Sequence, residues 1–206
     1  MALTKTILNG HEVEYDDNEF EVRYSVNNDY LHYIGDGINV TNPKGNTSCY
    51  CMFQDYKGTS IDLSKFDTHS ITNMSCMFAN CSNLSYLNLS NFDTGNVRDI
   101  SFMFNNCCNL KSLNLSSFNT HNVIDMSYMF HACMNLKTLD TSSFYIGNTK
   151  MLDNKFWDCK SLETLKVSYD CLQFFLDHKK FMFGSCGNIN IIPISKLDRA
   201  VNDLFY

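Results

Sequence analysis

MFNNCCNLKSLNLSSFNTHNVIDMSY, from Met103 to Tyr128, is one copy of a pattern that returns every 26 residues. Cys81, Cys107, Cys133 and Cys159 keep that interval, and Cys186 follows after 27. Leu84, Leu110, Leu136 and Leu162 form a second column, with Ile189 one residue late. Leu87, Leu113, Leu139 and Leu165 form a third, continued by Ile192. Leu63, Leu89, Leu115, Thr141 and Val167 form a fourth, ending at Ile194. Phe66, Phe92, Phe118 and Phe144 repeat in step, as do Phe78, Phe104, Phe130 and Phe156, with Phe53 before and Phe183 after. Independent columns at one interval are the signature of a repeat array. Each copy is then a small unit that buries its apolar face only against its neighbours.

Within each copy, LxxLxL alternates apolar and polar residues, the period of a short strand. One strand per copy, always in the same direction, pairs only in parallel, with neighbours ~4.8 Å apart. The return segment VxDMSxMF spaces Val97, Ile100, Met103 and Phe104 as one or two helical turns would, and Asn96 and Asn122 sit where caps belong. The expected fold is a repeat solenoid, with a parallel β-sheet on one face and short helices or turns on the other. Its ends must be closed by something different. Residues 1–48 lack the repeat. There Asn9-Gly10 marks a tight hairpin, and Phe20, Val22, Tyr24 and Val26 alternate as a further strand, predicting a β-meander cap. The repeats occupy 49–194, about five and a half rungs. A short apolar helix around Leu172 to Leu176 interrupts them. Residues 195–206 read as a capping helix, with Leu197, Ala200, Val201, Leu204 and Phe205 at helical spacing and a capping box between Ser195 and Asp198.

Composition excludes several classes. The chain has 206 residues, 44% hydrophobic and 14% aromatic, which argues against intrinsic disorder. A net charge of −6 offers no electrostatic footprint for direct nucleic-acid binding. No apolar run approaches the ~18 residues that span a bilayer, so no membrane association is expected. The opening MALTKTILNGHEVEYDD lacks the apolar core of a secretory signal. A cytoplasmic location follows as the expectation, and ten cysteines suit such a reducing compartment. An export signal missing from this sequence would instead place the protein at a cell surface.

The residue types that carry chemistry are explained by the repeat. Laterally stacked cysteines would hold their Cβ atoms ~4.8 Å apart, against the ~3.8 Å a disulfide prefers, and no close CxxC pair suggests zinc. They read as buried small hydrophobes, although Cys49, Cys51 and Cys76 leave the column and could converge beside the N-terminal cap. His69 and His121 share a repeat position two copies apart, too far to share a metal. No Ser-His-Asp or Cys-His constellation recurs, and there is no phosphate-binding glycine loop. Neither a catalytic residue, a metal site nor a cofactor is predicted.

Two surfaces are candidates for a protein partner. One is the solvent side of the strands, with Asp62, Asn88, Asn114 and Asp140 in one column, a column of serines beside it, and Tyr86 as the one large aromatic. The other is the N-terminal cap. Residues 1–60 hold four Lys or Arg against nine Asp or Glu. Glu12, Glu14, Asp16, Asp17, Glu19 and Glu21 fall within ten residues, beside Tyr15 and Phe20. An acidic cap would keep the end soluble and block edge pairing, and could also steer the protein to a basic surface.

The runs IDLSKFDTHSITNMSCMF, NLSNFDTGNVRDISFMFNNCCNLKSLNLSSFNTHNVIDMSYMF and the recurring NCxNL resemble the BspA-type leucine-rich-repeat family, over roughly residues 50 to 168. Similar repeats occur in bacterial surface proteins, mycoplasma lipoproteins and some protist and phage proteins. The resemblance implies a leucine-rich-repeat solenoid with a binding role, often adhesion to host molecules. Two functions are therefore expected in competition. One is a non-enzymatic intracellular binder or inhibitor of a host protein, phage or mobile-element encoded. The other is a surface adhesin fragment.

Overall fold

Successive copies of the repeat lie side by side in the computed structural model, which describes residues 4–8, 11–15, 22–25, 30–33, 45–61, 63–150, 155–195 and 198. Ahead of them, β1 (Thr4–Leu8) and β2 (His11–Tyr15) pair antiparallel. Leu8 is opposite His11, leaving Asn9 and Gly10 as a two-residue connection. β3 (Val22–Ser25) and β4 (Tyr30–Tyr33) form a second antiparallel pair. The expected meander is thus two separate two-stranded sheets. The alternation read from Phe20 to Val26 gives a strand over Val22–Ser25, and Phe20 and Val26 lie outside the described residues.

On the strand side, β5 (Ser60–Ile61) pairs in parallel with β6 (Tyr86–Leu87), Ile61 opposite Leu87. β7 (Thr138–Thr141) pairs in parallel with β8 (Thr164–Ser168), Leu139 opposite Leu165. β9 (Asn190–Ile194) adds to the other edge of β8. Its register differs from the sequence reading. Leu165 faces Ile191 and Val167 faces Pro193, so Ile192 and Ile194 are each one place out of column. The strand side keeps the 26-residue offset while the cysteines have slipped to 27. The copy after Cys186 is one residue shorter before its strand. Pro193, which has no N–H to donate, is tolerated because β9 is an edge. Between β6 and β7, residues 112–115 form no regular strand although Leu113 and Leu115 stay buried, so the sheet is interrupted.

The opposite side contains no helix over 97–104. In a helix every N–H would bond within its own segment. Here every second N–H leaves for the next copy. Met74, Cys76, Phe78 and Asn80 donate to the carbonyls of Asp99, Ser101, Met103 and Asn105 at 2.8–2.9 Å. The N–H groups between them, from Met77, Ala79 and Cys81, close local turns onto Met74, Cys76 and Phe78. This alternation requires two left-handed residues per copy, and they recur as Cys76, Phe102 and Tyr128 and as Asn80, Asn106 and Ala132, all with φ between 56° and 61°. Asn96 and Asn122 are therefore not helix caps. Their Nδ2 groups donate across to the carbonyls of His69 and Gly95 at 2.9 and 2.7 Å.

Three columns fill the interior. Phe53, Phe78, Phe104, Phe130, Phe156 and Phe183 stack nearly parallel, with centroids 5.1–5.7 Å apart. Each pair is worth ~0.5–1.5 kcal/mol beyond its burial. The column cysteines have a polar task as well. Cys81, Cys107, Cys133, Cys159 and Cys186 each donate a thiol hydrogen to the carbonyl of Phe53, Phe78, Phe104, Phe130 or Phe156, at 2.9–3.1 Å. Buried Thr94 uses its hydroxyl twice, donating to the Asn119 carbonyl at 3.0 Å and accepting from the Asn119 N–H at 2.7 Å. Thr68 does the same for Asp93, and Thr120 for Tyr145.

At the C-terminal end, α1 (Leu172–Asp177) buries Phe175 and is followed by α2 (Lys179–Met182). Ser195 and Asp198 exchange hydrogen bonds as a capping box does: Ser195 Oγ accepts the Asp198 N–H at 3.1 Å, and Asp198 Oδ2 accepts the Ser195 N–H at 3.3 Å. The helix expected beyond them lies outside the described residues. No helix among the described residues is long and apolar enough to cross a membrane.

Two stability outcomes follow. Leu113→Ala should cost ~2–5 kcal/mol, because its site is packed by copies on both sides, whereas half-buried Ile191→Ala on the edge strand should cost less. Equal losses in denaturant titration would contradict this packing. Thr94→Val keeps the shape but strands one N–H and one carbonyl, each costing ~1–3 kcal/mol, so it should lower stability more than Thr94→Ser.

Candidate functional site

The strand-side candidates stand in one register and are solvent-facing. Tyr86 is 63% exposed on β6, and Asn88, Asn114 and Asp140, each one residue after a buried leucine, are exposed. Each of the last three also has a structural duty. Its Oδ1 accepts the backbone N–H two residues on, from Ser90, Ser116 or Ser142, at 2.9–3.0 Å, turning the chain just after the leucine column. What remains free for a partner is the outer amide or carboxylate atom. At Asp140 that atom faces Lys166 Nζ at 3.9 Å, an exposed pair worth at most ~1 kcal/mol. Asp62 lies outside the described residues.

In the cap, Glu12, Glu14 and Tyr15 occupy β2 opposite Ile7, Lys5 and Thr4. Asp16, Asp17, Glu19 and Phe20 lie outside the described residues.

A third surface was not read from the sequence. The x of SxMF is a left-handed residue pointing out of the turn side, and two copies place aromatics there. Phe102 and Tyr128 stack at 4.7 Å with rings 6° from parallel, and His131 meets Tyr128 edge-on at 5.8 Å. Trp157, in the same column as His131 and 39% exposed, lies over Gly184. A Cβ at residue 184 would come within 2.2 Å of that indole, so a larger residue there would have to displace the ring. In the sequence this surface shows only as two aromatics, Phe102 and Tyr128, at a position Cys76 fills in another copy; their φ of 56–57°, costing ~1–2 kcal/mol for a bulky residue, is set by the fold.

Near the C-terminal end, a cleft of about 210 Å³ is lined by His121, Ser142, Tyr145, Ser168, Asp170 and Ser195 among others. His121 stacks on Tyr145 at 4.6 Å and its Nδ1 lies 2.9 Å from Asn119 Oδ1. Ser195 Oγ is engaged by Asp198 at 2.7 Å. Among the described residues, no serine hydroxyl in this cleft is hydrogen-bonded to the imidazole. His69 is differently placed. Its Nδ1 is 3.0 Å from Asp93 Oδ2, and that hydrogen bond raises its pKa, while the Gly95 N–H and then His69 hold the Asp93 carboxyl low. The pair is on the surface, and no third ligand joins it among the described residues.

All ten cysteines are free thiols. Burial pushes Cys133 up to about 12 and Cys49 higher still. Of Cys49, Cys51 and Cys76, the last two do meet, and the hydrogen bond between them lowers the pKa of Cys51 and raises that of Cys76. Cys159 holds the half-buried Cys186 low in the same way. Native alkylation should accordingly reach Cys186 well before Cys107 or Cys133, and mass spectrometry of denatured protein should count ten modified thiols. Equal native rates at Cys186 and Cys133 would contradict the assignment.

The family described as Mycoplasma protein of unknown function, DUF285, matches the chain over residues 47–169. No curated protein and no solved structure matches it.

Proposed function

The chain belongs to the DUF285 family, and from that premise we propose that it is a non-enzymatic protein-binding module built as a leucine-rich-repeat solenoid of the BspA type. The one-interval columns, the parallel offsets and the stacked phenylalanines support the solenoid reading. The observation that carries the binding reading is where aromatic residues are left in solvent. Tyr86, Tyr145, Trp157, Tyr169 and Phe181 are 39–66% exposed, while the other phenylalanine columns are fully packed. Exposed aromatics of this size anchor protein interfaces. On this proposal the protein binds or inhibits a host protein inside the cell, using its acidic cap for attraction and its aromatics for contact.

Family resemblance favours a second reading, a surface adhesin. An export signal in the complete gene, together with loss of the protein when intact cells are shaved with protease, would decide for it.

The test uses the partner recovered from native lysate, with surface plasmon resonance as the readout. If the cap steers a basic partner, reversing Glu12, Glu14, Asp16 and Asp17 to Lys should slow association, and the difference should vanish as salt shortens the Debye length from ~10 Å at 0.1 M to ~3 Å at 1 M. Tyr86→Ala and Trp157→Ala should speed dissociation from the strand and turn sides respectively. If Asp140→Lys abolishes binding while the cap reversal leaves it unchanged, the cap is only a lid. If none of the four changes alters either rate, these surfaces are not the binding site.

A further inference from the structure

One apolar column of the core holds a lysine in a single copy. Met52, Met77, Met103, Met129 and Met182 precede the stacked phenylalanines and are buried to within 2%. In the fifth copy that position is Lys155, also 0% exposed. Lysine and methionine are both unbranched and of similar length, so the lysine stem fits the channel a methionine would fill. Its ammonium end does not match that channel. Nζ meets Met126 Sδ at 3.5 Å, a weak acceptor, and lies 4.8 Å from the Phe144 ring centroid and 5.8 Å from that of Phe156. The titratable group that faces it is the Cys171 thiol, at the end of the 3-10 turn after β8. Met126, Phe144 and Phe156 supply no charge. Among the described residues no carboxylate forms an ion pair with Nζ.

We propose that Lys155 is a proton-controlled weak point in the stack: a proton on Nζ loosens the C-terminal copies, and its departure lets them close. A charge placed here gains only the faces of two rings, which recover part of the lost hydration. The neutral amine suits the site far better. Burial accordingly lowers the Lys155 pKa from 10.5 to about 7, the thiol of Cys171 opposing slightly. The direction of the linkage follows. Between about 7 and 10.5 the unfolded chain holds the proton and the folded chain does not, so stability rises with pH. Below about 7 both states are protonated, and the full penalty of the buried charge is present and constant. The loosening is local because Lys155 is bonded into the stack only by neighbours. Its carbonyl receives the Phe130 N–H, and the Phe156 N–H beside it goes to Met182. A cytoplasm near neutral pH lies at the lower edge of this window, where small pH changes alter the population of the charged form.

Three measurements on the full chain test this. In protein labelled with 13C-lysine, the Lys155 side-chain resonance should titrate near neutral pH while the exposed lysines titrate above ~10. This needs no variant to fold. Lys155→Met restores the residue of the other five copies. The folding equilibrium constant of wild type, relative to this variant, should rise tenfold per pH unit through the window and stay flat below it. Amide protection, corrected for intrinsic exchange, should fall at Phe156 between pH 8.5 and 6 while holding at Phe78. An ordinary lysine titration, or parallel pH profiles for wild type and variant, would overturn the proposal. So would equal loss of protection at Phe78 and Phe156, which would make the effect global.

Discussion

No single copy of this repeat can satisfy its own backbone. On the turn side, alternate N–H groups leave for the carbonyls of the next copy, and only the groups between them close locally. A buried N–H without a partner costs as much as a lost hydrogen bond, so a lone copy would carry several such costs at once. The demand for a neighbour comes first, and the other interior features serve it. The phenylalanines, thiols and threonine hydroxyls all reach across the same interval and help hold adjacent copies in step.

Three polar devices, two in the interior and one at the surface, answer a geometric difficulty. Side by side at strand spacing, the backbone cannot follow every bend of the repeat with regular ladders, and the strand side is indeed interrupted between Leu87 and Thr138. Where the backbone turns away, a side chain substitutes. Thr94 stands in for a missing pair of main-chain bonds to Asn119. Cys107 supplies a hydrogen to the carbonyl of Phe78. Asn96 and Asn122 bridge the far corner. Cysteine suits the thiol position because it is small, donates weakly and is inert when burial keeps it protonated.

On the proposed binding reading, a partner would be met by what the repeat leaves unconstrained. The Asn and Asp residues on the strand side are tied by one oxygen to the turn after the leucine column, so their own column is fixed by folding before any partner is considered. The aromatics differ. Nothing in the stack requires Tyr86, Trp157 or Tyr169 to be large, and other copies place serine, lysine, histidine or asparagine in equivalent positions. On the proposed binding reading, residues that vary while the scaffold repeats would supply the specificity.

The sequence by itself determined the interval, the apolar columns and the hairpin at Asn9-Gly10, because periodicity and turn chemistry are local properties legible residue by residue. It also marked the short helix at Leu172 and the Ser195–Asp198 box. Tertiary structure decided the rest. Spacing of Val97, Ile100 and Met103 fits a helix equally well, and only the neighbouring copy's carbonyls turn that segment into left-handed turns. The register of β9 depended on where one deleted residue is absorbed, a matter of three-dimensional closure. The aromatic stripe at Phe102 and Tyr128 and the buried amine of Lys155 were both present in the columns as exceptions. Each gained its meaning from the face on which it sits, and a one-dimensional interval cannot assign a face until the neighbours that cover it are in place.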